Sequence, residues 1–311
     1  MRAARISDYN GPQGVITTTD APKPEPAAGQ VLVEVHAAGV NPFDNMVAAG
    51  YARQMAELTF PATLGGDVAG TVAALGEDVT DFEIGQPVFG QASALSGQGS
   101  FAEFTPVNAT SVAPKPESVD YVTAAGLPLV ASSAYQALEY IDLQPGQKIL
   151  IHGGAGGIGS MAIQIAKRQG GYVITTAIAE DTDYVKKLGA DEVIDYKTQD
   201  FTELVTDVDA VFDTVGGETN TKSFAVIKKG GSFVSMVADA DDGQVEAKQV
   251  RYSHQFTHVT TERLRAIAEL IDTGLLEVRL NKVFPLEQAG EALAFLKDSH
   301  SRGKVVIQVE A

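Results

Sequence analysis

The segment Gly154-Ala155-Gly156-Gly157-Ile158-Gly159 most restricts what this 311-residue chain can fold into. It has the form G-x-G-x-x-G. It follows Lys148–His152 (KILIH), a short apolar run after the turn residues Pro145-Gly146. It opens onto a helical stretch in which Ile158, Met161, Ile163, Ile165 and Ala166 are apolar. An apolar strand without alternation suits a sheet buried on both faces. Glycines at such a turn let the backbone approach a pyrophosphate, and the helix N-terminus offers amide donors and the positive end of its dipole. The bare motif is weak, but between this strand and this helix it predicts dinucleotide binding. The plainer alternative is a tight turn packed between the two elements.

The surrounding pattern agrees with an α/β chain. Strands are expected at Tyr172–Thr176, Glu192–Asp195, Val208–Asp213 and Ser232–Val237, with helices at Asp181–Leu188 and Thr219–Lys228 between them. Alternation of this kind means βαβ units and a parallel, doubly wound sheet. The first 115 or so residues differ. Val31–Ala37 alternates as a half-buried strand, Val68–Leu75 and Phe101–Phe104 also read as strands, and glycines and prolines recur between them, which suits a compact barrel. Ala113-Pro114-Lys115-Pro116-Glu117 reads as a link. Residues 118–141 read as helical turns, Thr261–Thr273 and Glu287–Leu296 as helices, and Lys304–Val309 as a strand able to rejoin the first domain. The expected domains are 1–117, 118–258 and a returning segment, 259–311.

Composition narrows the function. There is no cysteine, which excludes disulfides, thiolate nucleophiles and every zinc site built on Cys. Lys plus Arg number 23 and Asp plus Glu 40, so the formal charge is 23 − 40 = −17. That balance argues against a nucleic-acid partner, which demands clustered cations. No apolar run reaches membrane-helix length, and MRAARISDYN has no apolar stretch behind its basic residues. No membrane association and cytoplasmic residence are the expectations. The five histidines (His36, His152, His254, His258 and His300) are scattered. His254 and His258 lie four apart, but in a β-like stretch that separates them too far for one metal, so no metal site is expected.

The chain resembles the zinc-free quinone oxidoreductases of the medium-chain dehydrogenase/reductase superfamily along essentially its whole length. The likeness rests on Gly39–Asp44 (GVNPFD), Gly65–Gly70 (GGDVAG), Phe82–Phe89 (FEIGQPVF), Gly99–Phe104 (GSFAEF) and His152–Gly159. It continues through Leu188–Tyr196 (LGADEVIDY), Asp213–Gly217 (DTVGG) and Arg302–Val306 (RGKVV). The resemblance implies a GroES-like β-barrel catalytic domain, a Rossmann domain with a doubly wound parallel sheet, an active cleft between them, and a homodimer formed through an edge of the nucleotide-domain sheet. Zinc-dependent relatives carry a Cys and a His where this chain has Val40-Asn41 and Gly65-Gly66-Asp67, and they carry a four-Cys loop that is missing here.

The resemblance and the motif together suggest roles. Gly154, Ala155, Gly156, Gly157, Ile158 and Gly159 would hold the pyrophosphate, and Ser133 would lie near the nicotinamide. Thr176 and Tyr196 would approach an adenosine 2′-phosphate, and Val215 and Val237 would line the nicotinamide side of the crevice. Arg302 and Lys304 would add positive charge near phosphate or cleft; the alternative is a pair of solvated turn residues. The second strand ends Thr175-Thr176-Ala177 with no acid, which favours NADPH over NADH. Without metal, hydride transfer to a conjugated carbonyl needs a donor for the developing oxyanion and a source of a proton. Asn41 is the candidate polar contact, with a turn residue before Pro42 as its alternative. Asp44 would order a water or hold the loop. Phe43, Met46 and Tyr51 would shape substrate choice. Met46 stands where the family often has an aromatic hydroxyl, so no general acid is assigned.

The expected activity is zinc-independent, NADPH-dependent reduction of a small quinone or α,β-unsaturated carbonyl. A non-catalytic NADPH-binding protein, sensing or structural, is the alternative. A short-chain dehydrogenase is excluded because none of the nine tyrosines has Lys four residues later.

Overall fold

A computed structural model describes residues 1–298 and 302–309 of the chain; His300 lies outside them. The described residues form two compact units. One joins Met1–Leu129 to the chain from Val259 onward, and the other is Val130–His258. The first boundary lies at 129/130, where the sequence suggests 117/118. The reason is local: α2 (Tyr121–Ala125) lies on the barrel strands, so residues 118–129 belong with the barrel.

The first unit is built on β3 (Gln30–Val40), a long strand whose residues are mostly buried. It precedes α1 (Pro42–Ala48) and pairs antiparallel with β5 (Asp67–Leu75). The latter pairs with β6 (Pro87–Gln91), which pairs with β8 (Val112–Pro114); β7 (Phe104–Asn108) joins β3. A small sheet in the order β2-β1-β4 holds β1 (Ala3–Ile6), β2 (Ile16–Thr18) and β4 (Ala62–Thr63). Phe101–Glu103, expected in a strand, lie outside one. Phe101 is wholly buried and Ala102 makes an isolated bridge to Ala3, so the apolar character there serves the core. After the second unit the chain adds α9 (Thr261–Asp272), β15 (Leu280–Pro285), α10 (Ala289–Asp298) and β16 (Lys304–Gln308). Strand β16 pairs antiparallel with β3, placing Val305 opposite Val40.

The second unit has a parallel sheet in the order β11-β10-β9-β12-β13-β14. Its strands are β9 (Lys148–His152), β10 (Tyr172–Ala177), β11 (Glu192–Asp195), β12 (Val208–Asp213), β13 (Ile227–Ser235) and β14 (Arg251–His254). The order reverses at β9/β12, the switch point at which such sheets bind ligands. Helices α3 (Pro128–Ile141), α4 (Gly157–Arg168), α5 (Thr182–Lys187), α6 (Phe201–Leu204), α7 (Glu218–Val226) and α8 (Asp242–Lys248) connect or flank the strands. The helix expected over 219–228 stops two residues early, because Ile227 already pairs with Val208.

Candidate active site

The turn from β9 into α4 is set by close approach. A Cβ on Gly159 would stand 2.2 Å from the Gly153 carbonyl oxygen, so only glycine lets the helix lie against the strand end. Gly156 is the N-cap, and a Cβ there would meet only the Gly153 oxygen at 3.3 Å, so the loop is open on that side. Gly154 and Ala155 are buried, while Gly157 and Ile158 are half-buried. The first-turn amides have no intrahelical acceptor. The loop therefore combines free donors, the helix dipole and space for an anion, and its residues fit a dinucleotide pyrophosphate.

Beneath the loop the hydrogen bonds fix one another. Ser223 donates its hydroxyl to the Thr219 carbonyl at 2.7 Å, so its oxygen accepts from His152 Nε2 at 3.0 Å. Burial holds the His152 imidazole at a pKa of about 4, against a smaller opposing pull from Asp213. The ring is therefore neutral and its Nδ1 is an acceptor, 3.3 Å from the Thr176 hydroxyl. Thr176 Oγ1 in turn accepts the Gly153 N–H at 3.1 Å. Thr176 is 4% exposed. Its hydroxyl is committed beneath the glycine loop, which corrects the assignment of Thr176 to a 2′-phosphate. Thr175 is likewise committed, donating to the Ile151 carbonyl at 2.7 Å. Tyr196, by contrast, is exposed, and the Lys197 ammonium lies 5.4 Å from its ring centre. Asp195 turns its carboxylate back onto its own turn, accepting from Lys197 N–H and the Thr198 hydroxyl.

Across the switch point, Asp213 ends β12 fully buried. It accepts the N–H groups of Val215 and Gly216 at 2.9 Å each, Asn220 Nδ2 at 3.0 Å and the Ser235 hydroxyl at 3.1 Å. The turn so fixed presents Val215 outward, and Val237 is also exposed. Asp213 was not anticipated as a positioning group; an acid at the end of an otherwise apolar strand was its signal. Ser133 is buried, with its hydroxyl 2.6 Å from that of Thr257.

In the barrel, four polar residues from three distant segments of the sequence meet, all of them buried. Asn41 is the N-cap of α1; its N–H donates to Asp44 Oδ2 at 2.8 Å and its Nδ2 to Asp67 Oδ2 at 2.9 Å. Lys304 donates to the Val40 carbonyl at 3.0 Å and to Asn41 Oδ1, and its ammonium is 3.5 Å from Asp67 Oδ2. Asp67 Oδ1 also accepts the Leu129 N–H at 3.1 Å and Gln91 Nε2 at 3.5 Å. Gly39 makes room, since a Cβ there would stand 2.9 Å from that of Asp67 and 2.3 Å from the Ala125 oxygen. None of the four is more than 3% exposed. Burial lifts the Asp44 carboxyl to about 7, raises Asp67 and lowers Lys304.

One alternative is corrected here: Lys304 is not a solvated turn residue, because its buried ammonium donates to Val40 and Asn41, and its charge lies at Asn41. Both amide atoms of Asn41 have partners within the barrel. Arg302 is half-buried in the bend before β16. Phe43 packs against the barrel core, while Met46 and Tyr51 are exposed.

A barrel with a buried polar cluster and a doubly wound sheet with an open glycine turn define a nicotinamide-nucleotide oxidoreductase architecture. Residues 27–117 match the alcohol dehydrogenase GroES-like domain, and residues 188–307 match the zinc-binding dehydrogenase domain. The chain is 34% identical to the chloroplastic NADPH-dependent alkenal/one oxidoreductase of Arabidopsis thaliana, over 99% of this chain and 79% of that protein. It is 32% identical to the mitochondrial NAD(P)H oxidoreductase RTN4IP1 of Mus musculus, over 90% and 82%. The structure of the quinone oxidoreductase from Coxiella burnetii superposes with a TM-score of 0.93 at 32% identity, over 100% and 99%. The chain belongs to the quinone oxidoreductase family of the medium-chain dehydrogenase/reductase superfamily.

One of the matched domains is described as zinc-binding, and the residues here do not fit that ion. Cysteine is absent, Val40 is buried in the barrel core and Gly66 offers no side chain. No group of three or more His, Cys, Asp or Glu among the described residues could hold a metal. The adjacent acids Asp44 and Asp67 sit with an ammonium, which would repel a second cation.

Proposed function

We propose that the protein is a metal-independent, NADPH-dependent reductase of quinones or α,β-unsaturated carbonyls. The observation that carries this is the open turn at Gly156, with free amides at the head of α4, on a sheet whose neighbouring strands β12 and β13 end beside the exposed Val215 and Val237. Similarity to proteins named alkenal/one oxidoreductase and quinone oxidoreductase supports the substrate class.

When bound, the nicotinamide would supply hydride. Gly154–Gly159 would hold the pyrophosphate and Val215 and Val237 would flank the ring, with Ser133 nearby. Tyr196 would face the adenosine end. The preference for NADPH rests on Ala177 ending β10 without an acid and on the cation of Lys197 beside Tyr196. On the barrel side, Phe43, Met46 and Tyr51 would contact substrate. Asn41 and Asp44 supply the polar groups, and Asn41 keeps one Nδ2 hydrogen beyond the bond to Asp67. Initial rates with NADPH and NADH on one quinone and one enone test the reading. Turnover of neither substrate overturns it, and a clear NADH preference overturns the cofactor assignment.

The proposal includes a homodimer formed through β14, one of the two outer strands of its sheet, because an edge strand is open to pairing with another chain. It also includes cytoplasmic residence. No helix among the described residues is long and apolar enough to cross a membrane. The two relatives above carry mitochondrial and chloroplastic names, so cell fractionation decides the compartment. Sedimentation decides the oligomer.

A further inference from the structure

The buried barrel cluster holds two carboxyl groups and one ammonium, so with all three ionised it would carry an uncompensated negative charge. Such a charge out of water is costly, and one proton removes it. The geometry says which carboxyl keeps that proton. Both oxygens of Asp67 are used, accepting from Asn41 Nδ2, Leu129 N–H and Gln91 Nε2, with the Lys304 ammonium alongside. That is the environment of a carboxylate. Asp44 accepts a single hydrogen bond, from the Asn41 N–H to Oδ2. Its Oδ1 has no partner among the described residues and is not fully sealed from solvent. The charged groups facing Asp44 are Asp67 from β5 and Lys304 from β16.

We infer that Asp44 is the proton donor of the reduction, delivering its carboxyl hydrogen from Oδ1 to the substrate. This rests on the reductase reading above. With an enone, hydride from the nicotinamide forms the new C–H bond at the β-carbon, and the π pair moves onto the carbonyl oxygen as an enolate. The Asp44 O–H bond then breaks. Its proton goes to the α-carbon, the C=O bond re-forms, and the Asp44 carboxylate takes a new proton from water. Burial, which lifts this carboxyl to about 7, suits it to give up a proton near neutrality and to regain it. Asn41, through its N–H, and Lys304, through Asn41 Oδ1, are positioning residues for this acid.

The test compares the holoenzyme with Asp44→Asn on two acceptors under saturating NADPH. One is an enone, whose α-carbon must be protonated. The other is an electron-poor quinone, whose acidic hydroquinone leaves as an anion. Because general acid catalysis contributes about 10²–10⁴-fold, the enone-to-quinone rate ratio is expected to fall about 100-fold or more in the variant. The wild-type enone kcat should decline as pH rises through the Asp44 titration, and the variant's should not. NADPH affinity and the melting temperature, measured in parallel, show whether the variant is folded. An unchanged ratio in a folded variant overturns the assignment while leaving the reductase reading intact. A wild-type enzyme inert to both acceptors overturns both. If Asp44→Asn does not fold, the wild-type solvent isotope effect decides: a large effect on the enone and a small one on the quinone supports the acid, and equal effects overturn it.

Discussion

The Thr176 hydroxyl and the His152 imidazole, on neighbouring strands paired in register, share a buried hydrogen bond of 3.3 Å directly beneath the glycine loop. Because the same Thr176 oxygen accepts the Gly153 N–H, the pair holds the first residue of the loop in place. Thr176→Val should therefore lower stability by about 1–3 kcal/mol, the cost of stranding buried polar groups. It should weaken NADPH and NADH alike. Melting curves and affinities for both nucleotides check this; a loss confined to NADPH would restore Thr176 to the 2′-phosphate.

His152 makes the nucleotide-binding unit acid-sensitive. Its folded pKa, about 4, lies below the ordinary value of 6.5, so the unfolded chain binds the extra proton between those limits. The stability due to the neutral ring is complete above about pH 6.5 and is lost as pH falls toward 4, amounting to about 3 kcal/mol. His152→Gln should flatten denaturant-derived stability over that window, and an unchanged slope would show that other groups control it.

Lys304→Met should be severe, by about 3–5 kcal/mol, because it leaves Asp67 without its cation. Adding Asp67→Asn should recover part of the loss, and a double-mutant cycle reads the coupling. The penalty of the single change should shrink at acid pH, where burial has already favoured the protonated carboxyls. Additive effects would mean that the two residues do not act as a pair.

Gly156→Asp places a carboxylate at the N-cap of α4, in the space where a phosphate would lie. Aspartate is a good cap, so the fold should persist. Nucleotide affinity should fall at least about tenfold, or about 1.4 kcal/mol. Fluorescence titration with NADPH, alongside a melting curve, separates these effects.

Local pattern was a good guide wherever one element decides its own form. Glu192–Asp195 and Val208–Asp213 are strands with the bounds their sequence suggests, because short apolar runs between turns have few other uses. Pattern failed where a partner lies far off. Lys304 precedes VVIQV like a solvated residue, and its acceptors are some 263 residues earlier. Thr176 is the last residue but one of a strand buried on both faces, so alternation could not say which way its hydroxyl turns; His152 on the adjacent strand settles it. For the same reason Asp67 gave no local sign of its neighbours.

Strand β16 has a consequence for how the chain is made. A ribosome that has reached His258 has produced every residue of the Val130–His258 unit, but only part of the barrel. Asp67 is by then synthesised without its counter-ion, and the β3 edge that β16 covers is still bare. The middle unit can thus mature during translation, whereas the barrel must wait for its final strand.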